Sequence, residues 1–318
     1  MILGRIKMII GAFAASLWLF LPTVAEESSG SLHIEAEIPH RGDYMCVGFG
    51  SLWMMSEQTL LRVALTDNAI TEIPIEGATG RWRRTIVGEG AVWVADNLSQ
   101  IIYKIDPSTN QVALTIKTDI PVENEAAAEI AVGGGSVWAV EGSKLEPTLR
   151  RYSAQTGMDV AGIPLPSPST DRGIVYGFNS VWVAGAREGE LYRIDTVTNQ
   201  ILATIELEKR PLALASGEGS IWVREVGGMV QRIDGDSGKL LATFPTDAAD
   251  KYGEIVVGGG FVWMNGEIAP LVQIDPRTNT QRSRFNAPTG TFMGYSISYG
   301  GGSVWLGGGA IFRIKAPE

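Results

Sequence analysis

The stretch GGGSVW at residues 133–138 decides the fold, because near-copies of it recur along the chain. They read GFGSLW (48–53), GEGAVW (88–93), GFNSVW (177–182), GEGSIW (217–222), GGGFVW (258–263) and GGGSVW again (300–305). The tryptophans, Trp53, Trp93, Trp138, Trp182, Trp222, Trp263 and Trp305, stand 40, 45, 44, 40, 41 and 42 residues apart. This period is too long for ankyrin or tetratricopeptide repeats, but helical solenoids and propeller blades share it. The local pattern separates the two. Each unit carries β-branched runs cut by glycine and Asx turns, as in IIYKIDPSTNQVALTI (101–116), and lacks the long helical periodicity of a solenoid repeat.

Four strands fit each unit. Around Trp138 they are EIAVG (129–133), SVWAV (136–140), LRRYS (149–153) and DVAGIPL (159–165). Seven such units describe an all-β, seven-bladed β-propeller of four antiparallel strands per blade. After Trp305 the sequence supplies a third strand, AIFRIK (310–315), but no fourth. SLHIEAEIP (31–39) is expected to complete the last blade from the N-terminal side and hide its open edge.

Glycines at the first and third turn positions are expected where φ is positive, with Asn179 as the substitute at the third. Each tryptophan is expected to fill the wedge between blades, where burying about 150–250 Å² at roughly 25 cal/mol per Å² is worth several kcal/mol. A second element recurs as IDPSTN (105–110), IDTVTN (194–199), IDGDSG (233–238) and IDPRTN (274–279). Its aspartate can accept backbone N–H bonds within the turn, and Asn or Gly takes the left-handed position. One or two oxygens per turn fall short of the roughly six to eight that calcium requires, so no metal is assigned there.

Residues 1–25 read as an export signal: Arg5 and Lys7, then apolar MIIGAFAASLWLFLP (8–22), then a small-residue site at TVA (23–25). Residues 26–318 form the propeller domain, expected in the periplasm or secreted, with no membrane span after cleavage. Without Arg5 and Lys7, the 26 basic residues become 24 against 35 acidic ones, a net charge of −11. That balance argues against nucleic acid as a partner and favours a soluble monomer. Cys46 is the single cysteine, so the chain contains no internal disulfide, and packing must hold the fold.

The G-x-G-S-V-W-V turn followed by I-D-P-x-T-N resembles YVTN-type bacterial propellers and the related virginiamycin B lyase-like proteins, over residues 31–318. The resemblance implies the propeller fold. For activity it implies a histidine base ten residues before a blade's tryptophan, beside carboxylates that hold magnesium. The matching positions are Asp43, Arg83, Ala128, Arg172, Leu212, Gly253 and Tyr295, and none is histidine. His33 and His40 are the only histidines, both near the N-terminal strand.

Internal comparison locates the variable face. First turn glycine and tryptophan are always five residues apart, so length changes fall in the two connections that open on the opposite face. Loops that vary on a fixed scaffold are where binding and chemistry concentrate. Four residues before each first turn glycine stand Tyr44, Arg84, Glu129, Gly173, Ala213, Glu254 and Ser296, with Arg83 and Arg172 one position earlier in their blades. Asp96, Glu141 and Glu225 follow the tryptophans by three. The expected ligand site is therefore Tyr44, Arg83, Arg84, Glu129, Arg172 and Glu254: the arginines for an anion, the glutamates for a cation. The alternative is that these charges pair across blades. The RWRR run (81–84) is the sharpest basic anomaly in an acidic chain.

Two functions follow. One is a binding module for a small polar ligand or a protein partner, needing no cofactor. The other is a metal-assisted lyase or hydrolase using carboxylates in the same mouth, where magnesium would serve. No nucleophile elbow, phosphate loop or Cys/His cluster supports other chemistry.

Overall fold

The computed structural model describes residues 28–42, 44–79, 83–121, 128–186, 189–249, 251–266, 269–288, 293–294 and 296–316. Residues 1–25, expected to be an export signal, lie outside them, as do Asp43, Trp82 and Tyr295. The described chain forms seven sheets, and no sheet shares a strand with another. The innermost strands, Cys46–Gly48, Arg83–Gly88, Ile130–Gly133, Ser169–Gly177, Pro211–Gly217, Ile255–Gly258 and Ser296–Gly300, line the central channel. Each pairs antiparallel with the strand that carries its tryptophan.

The core is seven separate wedges. All seven tryptophans are fully buried. Trp93 packs against Ile130 and Val137 of the next blade, Trp182 against Ile221 and Val223, and Trp305 against Leu52 and Met54, which closes the circle. Each indole also donates to the carbonyl of its own first turn glycine, as Trp53 Nε1 does to Gly48 at 2.9 Å and Trp305 Nε1 to Gly300 at 3.2 Å. The polar edge of the ring is thereby satisfied inside an apolar wedge.

The glycine expectation needs one correction. Positive φ falls on the second and third turn positions, as at Glu89 (50°) and Gly90 (72°), or Phe178 (53°) and Asn179 (52°), the pattern of a tight hairpin turn. The first position is glycine for space. A Cβ on Gly133 would lie 2.1 Å from Tyr176 Cδ1 of the next blade, and one on Gly300 would lie 2.2 Å from Val47 Cγ1 across the closure.

A cation on each third strand ties blade to blade. The Arg151 guanidinium lies 4.9 Å over the Trp138 ring and donates from Nε to Ser136 Oγ at 2.8 Å. Its Nη1 reaches into the next blade's Asx turn, to Thr196 O at 2.6 Å and Asn199 Oδ1 at 2.9 Å. Arg62, Arg232 and Arg313 repeat this arrangement on Asn110, Asn279 and Asn68, and Arg193 reaches Asp236 O. Lys104 is the simpler version, donating to Ala154 O at 2.7 Å. The Asx turns thus serve two blades at once. Their aspartates also behave as expected, with Asp195 Oδ1 accepting from the Val197 and Thr198 amides at 2.7 Å each.

Blade six is the exception. Gln273, not a cation, stands opposite Trp263. The outer strand of blade seven is Ile34–Ile38, antiparallel to Ile311–Lys315 as expected, so it comes from the other end of the chain. No Asx turn links those two strands, and a cation at position 273 would have no such turn to grip. The N-terminal chain spans this seam instead. Ser28–Ser31 adds a fifth, parallel strand to blade six along Thr280–Asn286 before the chain crosses to blade seven. The expectation of four strands in every blade omitted this one.

Candidate functional site

Five of the six expected residues meet at the channel mouth. Arg172 Nε donates to Glu254 Oε1 at 2.6 Å, and the Arg172 guanidinium lies 4.5 Å over the Tyr44 ring. Arg84 approaches the same ring at 5.9 Å and the same Glu254 oxygen at 3.7 Å, within ion-pair range but too far for a hydrogen bond. Glu129 accepts the backbone amides of Arg172 (2.7 Å) and Gly173 (3.0 Å). These groups come from blades one, two, three, four and six.

Local backbone makes the convergence feasible. The strand Ser169–Gly177 is irregular between Ser169 and Ile174, and Arg172 there has φ 59°, turning two successive amides toward Glu129. Tyr44, at φ 49°, precedes the first strand of blade one. Glu254 is fixed by groups that the sequence reading did not assign to the site. Its Oε2 accepts from the Ile297 amide (2.9 Å) and Ser296 Oγ (3.2 Å), and its own amide donates to Asn265 Oδ1 (2.8 Å). Arg224, fully buried, donates to the carbonyls of Ala248, Tyr252, Glu254 and Asn265, clamping the approach to this strand. An arginine two residues after Trp222, where five other blades place Met, Ala, Val or Gly and blade six places Asn265, was the available signal.

Arg83 is not part of this cluster. Its Nη1 donates to Ala78 O at 3.3 Å, and it pairs in register with Asp96. Burial draws its pKa down, opposed by the charges of Asp96 and Glu57. Neighbouring residues of a strand face opposite ways, so Arg83 and Arg84 serve different surfaces. Of the other carboxylates, Asp96 Oδ1 caps the amides of Leu98 and Ser99, and Glu141 accepts from Tyr152 Oη at 2.6 Å. Glu225 is fully buried, and burial pushes its pKa up to about 7 against the opposing pull of the Lys209 and Glu208 backbone amides.

The glutamates were expected to suit a cation, but their oxygens are engaged with protein donors. Among the described residues, no three His, Cys, Asp or Glu side chains converge where a metal could sit. His40 follows the outer strand of blade seven, and His33 lines a small surface hollow with Phe285 and Lys315. The channel itself is a cavity of about 360 Å³, with Arg84, Arg172 and Glu254 among its lining residues. Ile86, Ala213, Ala215, Ile255 and Ile297 also line it, together with Cys46, whose thiol pKa burial raises.

These features define a seven-bladed β-propeller with a charged channel mouth. Its fold is similar to that of a solved structure described as a streptogramin B lyase, with a TM-score of 0.72 and 18% identity over 88% of this chain and 96% of that one. The expected likeness to virginiamycin B lyase-like propellers therefore holds for the fold. No family model and no curated protein matches the chain.

Proposed function

We propose that this protein is an exported binding module, periplasmic or secreted, that holds a small polar ligand at the channel mouth. The observation that supports this reading is the convergence of Arg84, Arg172 and Glu254 on one cavity, with the Tyr44 ring against both guanidinium groups, at the end of the scaffold where the loops vary. A larger open hollow of about 740 Å³ lies along the outer strands of blades one and two, and no such cluster of buried charge faces it. Ligand sites favour concave cavities with a few convergent polar groups, which describes the channel better.

A lyase reading draws only on the fold it shares with the streptogramin B lyase structure. It would need a base and a metal site in the mouth. The positions matching the family's histidine carry other residues, and the carboxylates there are bonded to protein donors. Titration with magnesium, calcium and manganese separates the readings, since tight stoichiometric binding would favour the lyase.

The direct test is a screen of small polar molecules by thermal shift, run on the wild type and on Ala215→Leu, which narrows the channel. Hits that lose their effect in the narrowed variant support the reading. Hits that shift both proteins equally place binding elsewhere and overturn it.

A further inference from the structure

We infer that the channel takes a small organic monocarboxylate, an inference that rests on the channel being the ligand site. The unmet bonding capacity at the mouth decides the sign of the ligand. Both oxygens of Glu129 and both oxygens of Glu254 already accept hydrogen bonds from protein donors. By contrast, Arg84 Nη1 is buried and makes no hydrogen bond. A donor without an acceptor calls for an acceptor, and a guanidinium is best matched by an anionic oxygen.

The surroundings restrict that anion further. Glu254 Oε1 stands 3.7 Å from Arg84 Nη1, and Glu129 is held beside Arg172. Two resident carboxylates oppose a multiply charged guest, because like charges at close quarters cost several kcal/mol. A single negative charge can bridge Arg84 and Arg172 at the smallest such penalty. Farther along the channel the wall mixes Ile86, Ile255 and Ile297 with Ser216, Ser298 and Thr85, whose Oγ1 is buried without a hydrogen bond. A compact body with few polar groups suits that wall, and one polar group on it has Thr85 Oγ1 to meet. The volume of about 360 Å³ sits at the small end of ligand cavities, which run from about 300 to 1,000 Å³.

Hexanoate, hexanamide, hexylamine and inorganic phosphate, titrated calorimetrically into the folded protein, test charge, shape and valence separately. The expected result is one-to-one binding of hexanoate, weakened about tenfold or more in hexanamide and in Arg84→Gln, with phosphate weaker than hexanoate. Arg84→Gln should keep the wild-type melting temperature, and Arg84→Lys, which retains the charge, should bind between the two if Arg84→Gln does not fold. Equal or tighter binding of hexylamine or hexanamide overturns the inference while leaving the channel a ligand site. So does undiminished binding by the Arg84 variants, or failure of hexanoate to bind. Failure of the channel as a site is read separately, from hits that survive in Ala215→Leu.

Discussion

Arg172 and Glu254 join blade four to blade six across the channel, 2.6 Å apart, with blade five between them and no hydrogen-bonded strand in common. The pair is a strut across the ring as well as part of the proposed site. Glu254 therefore does more than meet a ligand. Glu254→Ala would leave Arg172 buried against a vacancy and free the Ile297 amide, at a cost of about 3–5 kcal/mol. The sequence reading assigned this residue to ligand contact, with pairing across blades as the alternative, so chemical denaturation of Glu254→Ala beside Arg84→Gln checks the distinction. Comparable stability in the two variants would remove the strut.

Neighbouring arginines on one strand should behave very differently. Arg151 stacks on Trp138 and ties two blades, whereas Arg150 forms an exposed pair with Asp159. Arg151→Ala is expected to cost about 2–4 kcal/mol, and Arg150→Ala less than about 1 kcal/mol. Urea unfolding of both variants measures the difference.

Glu225 should make the protein more stable in mild acid. Its pKa is raised to about 7 in the folded state by burial, above the ordinary glutamate value that it regains on unfolding. A raised folded pKa contributes stability that is full below the unfolded pKa and lost as pH rises through about 7. Glu225→Gln should therefore raise the melting temperature at pH 8, relieving about 1–3 kcal/mol of buried-charge cost. It should also flatten the stability profile between pH 4.5 and 8. A variant less stable than wild type at pH 8 would contradict this.

Two truncations separate the roles of the N-terminal strands. Starting the chain after Ser31 removes the fifth strand of blade six and leaves Ile34–Ile38 in place. Starting it after Pro39 strips blade seven of its outer strand and bares the edge of Ile311–Lys315. The first is expected to lower the melting temperature and stay monomeric. The second is expected to aggregate, as an exposed edge invites pairing. Light scattering of the two proteins distinguishes them.

Trp182→Ala should cost about 3–5 kcal/mol, the usual penalty for emptying an aromatic site in a core. Trp182 is fully buried against Ile221 and Val223 of the next blade. A loss under 1 kcal/mol by denaturant titration would show that the wedge can collapse around the gap.

The fold was legible because its signals are local. A hairpin turn, a buried aromatic five residues on and an Asx turn are each short-range, and repetition made them unambiguous. What escaped were relationships between blades. The first turn glycine is set by Tyr176 or Val47 from a neighbouring blade, which no window around GGGSVW contains. The cation opposite six of the seven tryptophans was visible in the sequence, but its grip on Asn199 or Asn279 depends on blade spacing. At the mouth, charge at Arg84, Glu129 and Glu254 stood out against a core-strand background. Which charges would meet was not legible, because Arg83 and Arg84 differ only in the side of the strand they face.

The borrowed outer strand of blade seven also sets the order of events as the chain is made. Ile38 is made 273 residues ahead of its partner Ile311. Blades one to five can each pair their own strands as they emerge, but blade seven must wait for a segment made long before. That segment has to remain unpaired and accessible throughout. Closing so distant a contact carries the largest loop entropy in the molecule and belongs to its slow step. Until it closes, the newborn propeller is an open arc with a sheet edge at one end, and anything that captures Ile34–Ile38 early would hold it in that state.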